Sequence, residues 1–345
     1  MKIGIIGATG YSGEWLVRLL SQHPRASLAL VASRSQAGRQ LRDVMPGAAP
    51  VVGDLAFVAS DPAALAAQNE VGVFFLALPH GVAAEFAVPL ADAGKTVIDL
   101  SADFRLGSPA LYAEYYGASH PAPERLASSP YVLPELAEAV VPNWRSSRII
   151  ACPGCYPTSV QLPLAPLLQA GVVQAAGIVI NSLSGVSGAG RKATEFYSFA
   201  ERVSSVMAYG APRHRHLAEI EEQLSAFARR RITVQFTPHL VPVHAGIATT
   251  IVAQAEGTLE DLYRVWRECF TPEKTPFITV CEPGDFPETK HVVGTNRCRI
   301  SAVHDPRTGN FVITSVIDNL IKGAAGQAVQ ILNRLQGWPE TEGLW

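Results

Sequence analysis

The first half of the chain alternates short apolar runs with amphipathic stretches. Lys2 to Ala8 is a continuous apolar run after its lysine, as expected of a strand buried on both faces. Trp15, Leu16, Leu19 and Leu20 then recur at helical spacing. Ser27 to Ala32 reads as a second strand and Val71 to Leu78 as a third. Gly81 to Ala93 reads as a helix, and Lys95 to Leu100 and Arg148 to Ala151 as further strands. Strands alternating with helices predict a doubly wound α/β fold, a parallel sheet covered on both faces. Ligands of such sheets bind at the C-terminal ends of the strands.

Composition narrows the classes. With 345 residues and 48% hydrophobic content the chain is too long for one ordinary domain and suggests two. A formal net charge of −2 gives no basic surface for a phosphate backbone, so no nucleic-acid partner is expected. The apolar run at the N-terminus is too short for a signal-peptide core, and no stretch is long enough to span a membrane. Five cysteines, an odd number, argue against a disulfide scaffold and point to a reducing, cytoplasmic setting.

The loop Gly7-Ala8-Thr9-Gly10-Tyr11-Ser12-Gly13 lies between the first strand and its helix, where glycines let a backbone approach a pyrophosphate. Its middle glycine is shifted by one from G-x-G-x-x-G, and a tight turn without a ligand is the bland alternative. After the second strand, Ser33 and Arg34, with Arg39 nearby, stand where a carboxylate would hold the ribose hydroxyls of NAD. Hydroxyls and arginine suit the 2′-phosphate of NADP instead.

A strand followed by Cys152-Pro153-Gly154-Cys155 and a helix expected near Pro157 places Cys155 just before a helix N-terminus, which favours a thiolate. Pro163 and Pro166 predict a short or kinked helix. Three readings stay open from the residues alone: a nucleophile at Cys155, a Cys152/Cys155 redox pair, or two buried structural cysteines. Zinc fits poorly because Cys269, Cys281 and Cys298 are scattered, so no metal is expected. Arg213-His214-Arg215-His216 precedes Leu217, Ile220, Leu224 and Phe227, an amphipathic helix with His216 at its start. The dipole there favours a neutral ring able to accept a proton, and Glu219 could cap the helix or orient a histidine. A solvated histidine–arginine cluster is the alternative. Ser184-Gly185-Val186-Ser187-Gly188-Ala189-Gly190-Arg191-Lys192 could form an anion nest or a flexible linker. Asp318 to Gln327 opens a helix of small residues suited to close packing.

Taken in order, these motifs resemble the N-acetyl-gamma-glutamyl-phosphate reductase family. The matching stretches are Gly7 to Gly13, Ser33 to Gly38, Leu78-Pro79-His80-Gly81, Asp99 to Arg105 and Pro153-Gly-Cys-Tyr-Pro-Thr158. Further ones are Ser184 to Gly188, His214-Arg-His216 with Glu219, Gly294-Thr-Asn296 and Asp318 to Gln327. The resemblance implies a Rossmann domain for NADP over residues 1–151, completed by a C-terminal helix in 318–345. It implies a second α+β domain over 152–317, with a mostly antiparallel sheet and the contacts of a homodimer or homotetramer. It casts Cys155 as nucleophile and gives the pair His214 and His216 substrate contacts and acid–base work; His216 is favoured for proton transfer and His214 for a place near the substrate, a division the resemblance leaves open. Ser101, Arg105 and Glu219 fall to the substrate, and Pro79, Ser187, Gly188 and Asn319 to the cofactor beside the glycine loop. Cys152, Ala218 and Ala245 depart from the family pattern. The expected reaction is reduction of an acyl phosphate through a thioester, releasing phosphate. The aminoadipyl homologue, or a redox sensor using Cys152 and Cys155, are the alternatives.

Overall fold

The computed structural model describes residues 1–48 and 53–344. The chain forms two compact units, Met1–Pro153 with Ala324–Trp345, and Gly154–Gly323.

The first unit holds six parallel strands: β1 (Lys2–Ile6), β2 (Ser27–Ala32), β3 (Phe57–Val58), β4 (Val73–Leu76), β5 (Thr96–Asp99) and β6 (Ile149–Ala151). Their order is β3-β2-β1-β4-β5-β6, the Rossmann arrangement. Neighbouring residues face opposite sides, as a two-residue period requires. Ile5, Phe75, Ile98 and Ile150 join one core with Leu16, Leu20, Val329 and Leu332. Ile6, Phe74, Val97 and Ile149 join the other with Phe86 and Leu90. Each such side chain contributes about 1.5–3 kcal/mol on burial. The helices Tyr11–Ser21 and Gly326–Leu335 thus cover one face and Ala84–Asp92 the other. Two boundaries differ from the sequence pattern. The helix expected from Gly81 starts at Ala84, because Asp103 accepts hydrogen bonds from Gly81 N (2.6 Å) and Ala84 N (3.1 Å) and holds a turn there. The helix expected to open at Asp318 is preceded by a π-type turn, Ile321–Ala325.

The second unit holds β7 (Ile178–Gly185), β8 (Met207–Ala208), β9 (Val234–Val241), β10 (Ile247–Gln254), β11 (Ile278–Val280), β12 (Cys298–Asp305) and β13 (Asn310–Ile317). The order is β11-β12-β13-β10-β7-β9-β8, with β7–β9 and β11–β12 parallel and the other pairs antiparallel. Its strands alternate buried and half-exposed residues, the pattern of a sheet packed on one face.

That face packs on the helix Cys155–Ala170, in which every residue from Tyr156 to Leu168 is buried. The helix is not short: it runs for 16 residues with Pro163 and Pro166 inside it, and begins at Cys155, two residues before Pro157. Tertiary packing outweighs local propensity here. The sheet lies on one side, with a Ser159–Thr249–Ser182 hydroxyl chain at 2.8 Å steps. The helices Arg215–Ala228 and Leu259–Cys269 also pack against it, and Trp266 Nε1 donates to Pro163 O (2.8 Å).

Candidate active site

In the first unit the three loop glycines differ in what they are for. A methyl group at Gly7, whose φ is +87°, would meet Ala77 O at 2.4 Å, and one at Gly13 would meet Gly7 O at 2.3 Å. Both are therefore required by the turn and by the close approach of helix to strand. Gly10 has nothing nearer than Gly7 O at 3.8 Å. It is the N-cap of the helix Tyr11–Ser21 and its helix has no side-chain cap. A bare backbone at an uncapped helix N-terminus, lacking a Cβ that the fold itself would tolerate, suits close approach by a phosphate. Thr9, Tyr11 and Ser12 are half-buried around it. Gly7→Ala and Gly13→Ala should therefore lower the melting temperature. Gly10→Ala should leave it within a few degrees yet weaken dinucleotide binding, as titration calorimetry would show.

Beyond β2, Ser33 is buried and Arg34 is exposed, ion-paired to Glu85 at 3.2 Å; Arg39 donates to Gln36 Oε1 (2.7 Å). A pair between two exposed side chains is weak, so Arg34 can exchange Glu85 for an anion. Pro79 lies exposed just past β4. Ser101 and Arg105 belong to a buried knot at the end of β5. Ser101 Oγ donates to Asp99 (2.7 Å), while Arg105 donates to Cys152 O (2.9 Å) and Leu100 O (2.7 Å). Burial pushes the Asp99 carboxyl up to about 7, against the pull of Ser101. These contacts give both residues work within the first unit, bracing the chain between strand ends.

The second unit contains a cavity of about 310 Å³. Cys155, His214, His216 and Gly188 line it together, with Arg215, Ser184 and Leu240. Cys155 is the first residue of its helix and Gly154 the N-cap, so the thiol stands where the helix dipole favours negative charge. Cys152 is instead fully buried in the core of the first unit.

His214 is the N-cap of the helix Arg215–Ala228, its Nδ1 accepting from His216 N at 3.1 Å. That bond assigns the ring proton to Nε2. Burial, then the charge of Arg215, push His214 down to about 4. Glu219 is buried, and its Oε1 accepts from Gly154 N (2.8 Å). Asn319 Oδ1 accepts from Gly246 N (2.7 Å) and its Nδ2 donates to Ser187 Oγ (3.0 Å). Part of the Ser184–Lys192 backbone is committed to the fold. The amides of Gly185, Val186, Ser187 and Gly190 already donate to Gly246, Val243, His244 and Ser187 carbonyls.

Sequence reasoning missed Tyr209, Phe196, Tyr197 and Met207, which also line the cavity. Tyr209 OH lies 2.9 Å from Tyr156 OH, and burial pushes its phenol up to about 12. Nothing in spacing or composition singles these residues out; they come from the short turn Glu195–Tyr197, from β8 and from the residue after it.

Two family models match the chain: the semialdehyde dehydrogenase NAD binding domain over residues 2–143 and the semialdehyde dehydrogenase dimerisation domain over residues 155–319. N-acetyl-gamma-glutamyl-phosphate reductases from Akkermansia muciniphila and Halorhodospira halophila are each 45% identical to it. The alignments span 100% of this chain and 99% and 98% of those proteins. One from Pseudomonas putida is 46% identical over 100% of this chain and 98% of its own length. Among solved structures, aspartate semialdehyde dehydrogenase II from Vibrio cholerae superposes with a TM-score of 0.72 at 20% identity, covering 97% of this chain and 98% of that one. Aspartate semialdehyde dehydrogenase with NADP from Candida albicans gives 0.71 at 20%, covering 97% and 98%; at this identity the likeness is one of fold. Full-length identity of this size, with both halves matched by semialdehyde dehydrogenase models, places the chain in the N-acetyl-gamma-glutamyl-phosphate reductase family.

Proposed function

We propose that the chain catalyses NADPH-dependent reduction of N-acetyl-gamma-glutamyl phosphate to N-acetylglutamate 5-semialdehyde with release of phosphate, a step of arginine biosynthesis. The observation that carries this reading is Cys155 at the start of a buried helix, opening onto the same cavity as His214 and His216. The lining residues suit the substrate. Arg215 offers a cation for the α-carboxylate, and among the described lining residues there is no Asp or Glu to pair a free ammonium. An amine blocked by acylation enters such a cavity without an uncompensated charge.

In the mechanism, Cys155 passes its proton to His216 and attacks the acyl carbon. The carbon–oxygen bond to phosphate breaks, leaving a thioester on Cys155, and His216 returns the proton to the departing phosphate. NADPH, when bound, supplies the hydride that reduces the thioester carbonyl. The oxyanion then formed is met by the helix N-terminus at Cys155 and by His214 Nε2–H, and its collapse regenerates the thiolate. His214 is unsuited to carry the proton because its Nδ1 is engaged as the cap and its ring stays neutral well below neutrality. The glycine loop with Gly10, Thr9, Tyr11 and Ser12 would hold the pyrophosphate, and Arg34, Ser33 and Arg39 the 2′-phosphate. Pro79, Gly188, Ser187 and Asn319 would lie toward the nicotinamide.

Chain-length choice is a matter of one methylene, about 1–3 kcal/mol, so the aminoadipyl homologue is the competing substrate. Exposed apolar side chains clustered in sequence, Phe196, Phe199, Val203 and Val206, with Phe199 81% exposed, support a homodimer or homotetramer. No helix among the described residues is long and apolar enough to cross a membrane, and five thiols suit a reducing cytoplasm. The test is to supply N-acetylglutamate 5-semialdehyde, phosphate and NADP and follow reduced nicotinamide. Reduction that requires all three supports the assignment. Activity only with the aminoadipate homologue would move the chain to lysine synthesis. Inactivity with both, together with a reversible Cys152–Cys155 disulfide, would favour the redox sensor.

Folding depresses the His214 ring from its ordinary value of about 6.5 to about 4, through burial and then the charge of Arg215. Its contribution to stability is therefore present above about pH 6.5 and lost as pH falls toward 4, where the unfolded chain binds the proton first. His214→Asn keeps a good N-cap. It should flatten the fall of the urea midpoint between pH 6.5 and 4 while lowering kcat; an unchanged slope would refute the neutral-cap assignment.

A further inference from the structure

Gly323 lies in the π-type turn Ile321–Ala325. Its φ lies outside the left-handed region, so its backbone conformation does not call for glycine. Space does. A methyl group here would lie 2.6 Å from Cys155 Cβ, 3.0 Å from Cys155 Cα and 3.3 Å from Asp318 O. The first two are atoms that no rotamer change can move aside, and carbon–carbon contact normally begins near about 3.5 Å.

Neither side can yield easily. The turn is tied by Gly323 N to Asp318 O (2.8 Å). The buried Asp318 carboxylate accepts from Leu320 N (2.7 Å), Ile321 N (3.1 Å) and Gly294 N (2.8 Å). Asn319 anchors its other flank to Gly246 and Ser187. Across the contact, Gly154 is held by Glu219, and Thr158 bonds Gly154 O through both N (3.0 Å) and Oγ1 (2.9 Å).

We infer that Gly323 is a positioning residue for the nucleophile: the absent side chain is what lets Cys155 stand at the first position of its helix, facing the cavity. This rests on Cys155 being the nucleophile. A side chain at 323 displaces it by a sizeable fraction of an ångström, enough to cost roughly 10²-fold in a reacting geometry.

The test uses the full-length Gly323→Ala protein. The expected result is kcat reduced about 10²-fold, with KM for the aldehyde and phosphate within about threefold. The pH midpoint of iodoacetamide alkylation at Cys155, identified against Cys155→Ser, should move upward as the thiol leaves the helix end. Wild-type kcat and an unchanged alkylation profile in a folded variant would overturn the inference. Should Gly323→Ala fold poorly, the melting temperature is read in a Cys155→Gly background, where the Cβ contact no longer exists. A much smaller loss there supports the contact, and an equal loss in both backgrounds refutes it. Alkylation and melting need no turnover, so an inactive wild type would sink the proposed reaction without deciding this contact.

Discussion

Replacing Cys155 by serine should abolish turnover, by roughly 10³-fold or more, while leaving NADP binding and the melting temperature nearly unchanged. Serine conserves the shape at the start of the helix Cys155–Ala170, so Gly323 and Glu219 still find their partners. What is lost is the proposed nucleophile. A hydroxyl with an ordinary pKa far above that of a thiol is not ionised by a helix end alone, and a serine ester accepts hydride less readily than a thioester. Steady-state rates beside calorimetric NADP binding check this. Full activity in Cys155→Ser would remove the thioester from the mechanism, whereas loss of activity together with loss of NADP binding would point to misfolding.

The second large effect is expected at Glu219. Its carboxylate oxygen accepts the Gly154 amide at 2.8 Å, from a side chain only 1% exposed. Glu219→Ala leaves that buried N–H without this acceptor, at about 1–3 kcal/mol, and opens space beside Gly154, the residue before Cys155. Stability should fall by that amount in urea titrations, and kcat by about tenfold or more, since the lost bond fixes Gly154 and through it Cys155. Glu219→Gln retains an oxygen acceptor and should recover most of both. Equal damage in the two variants would mean that the negative charge matters rather than the bond, and would transfer Glu219 from positioning to a direct part in substrate binding or proton movement.

The glycine loop and the histidine pair illustrate two different degrees of legibility. Gly7, Gly10 and Gly13 could be read as a loop, but their separate reasons could not. Two of them are forced by Ala77 and by the loop's own backbone, atoms that are distant or folded back in space, and only Gly10 is left without a packing cause. His214 and His216 could be read as a pair at a helix start, but the division of labour between them depends on a hydrogen bond to one ring nitrogen and on burial.

Taken alone, the sequence determined the parallel sheet, because runs buried on both faces have no polar alternation to hide. It determined the start of the helix Cys155–Ala170 to within two residues, because glycine and proline constrain the backbone locally, and it marked Cys155 by its place at that start. The tertiary structure decided the rest. The helix persists through Pro163 and Pro166 because packing on two sides outweighs local propensity. After β7, the amides of Gly185, Val186 and Ser187 are bonded to the turn before β10. Glu219, Gly323 and Tyr209 reach the site from segments far apart in the chain, and no local pattern encodes a contact that exists only once those segments are folded together.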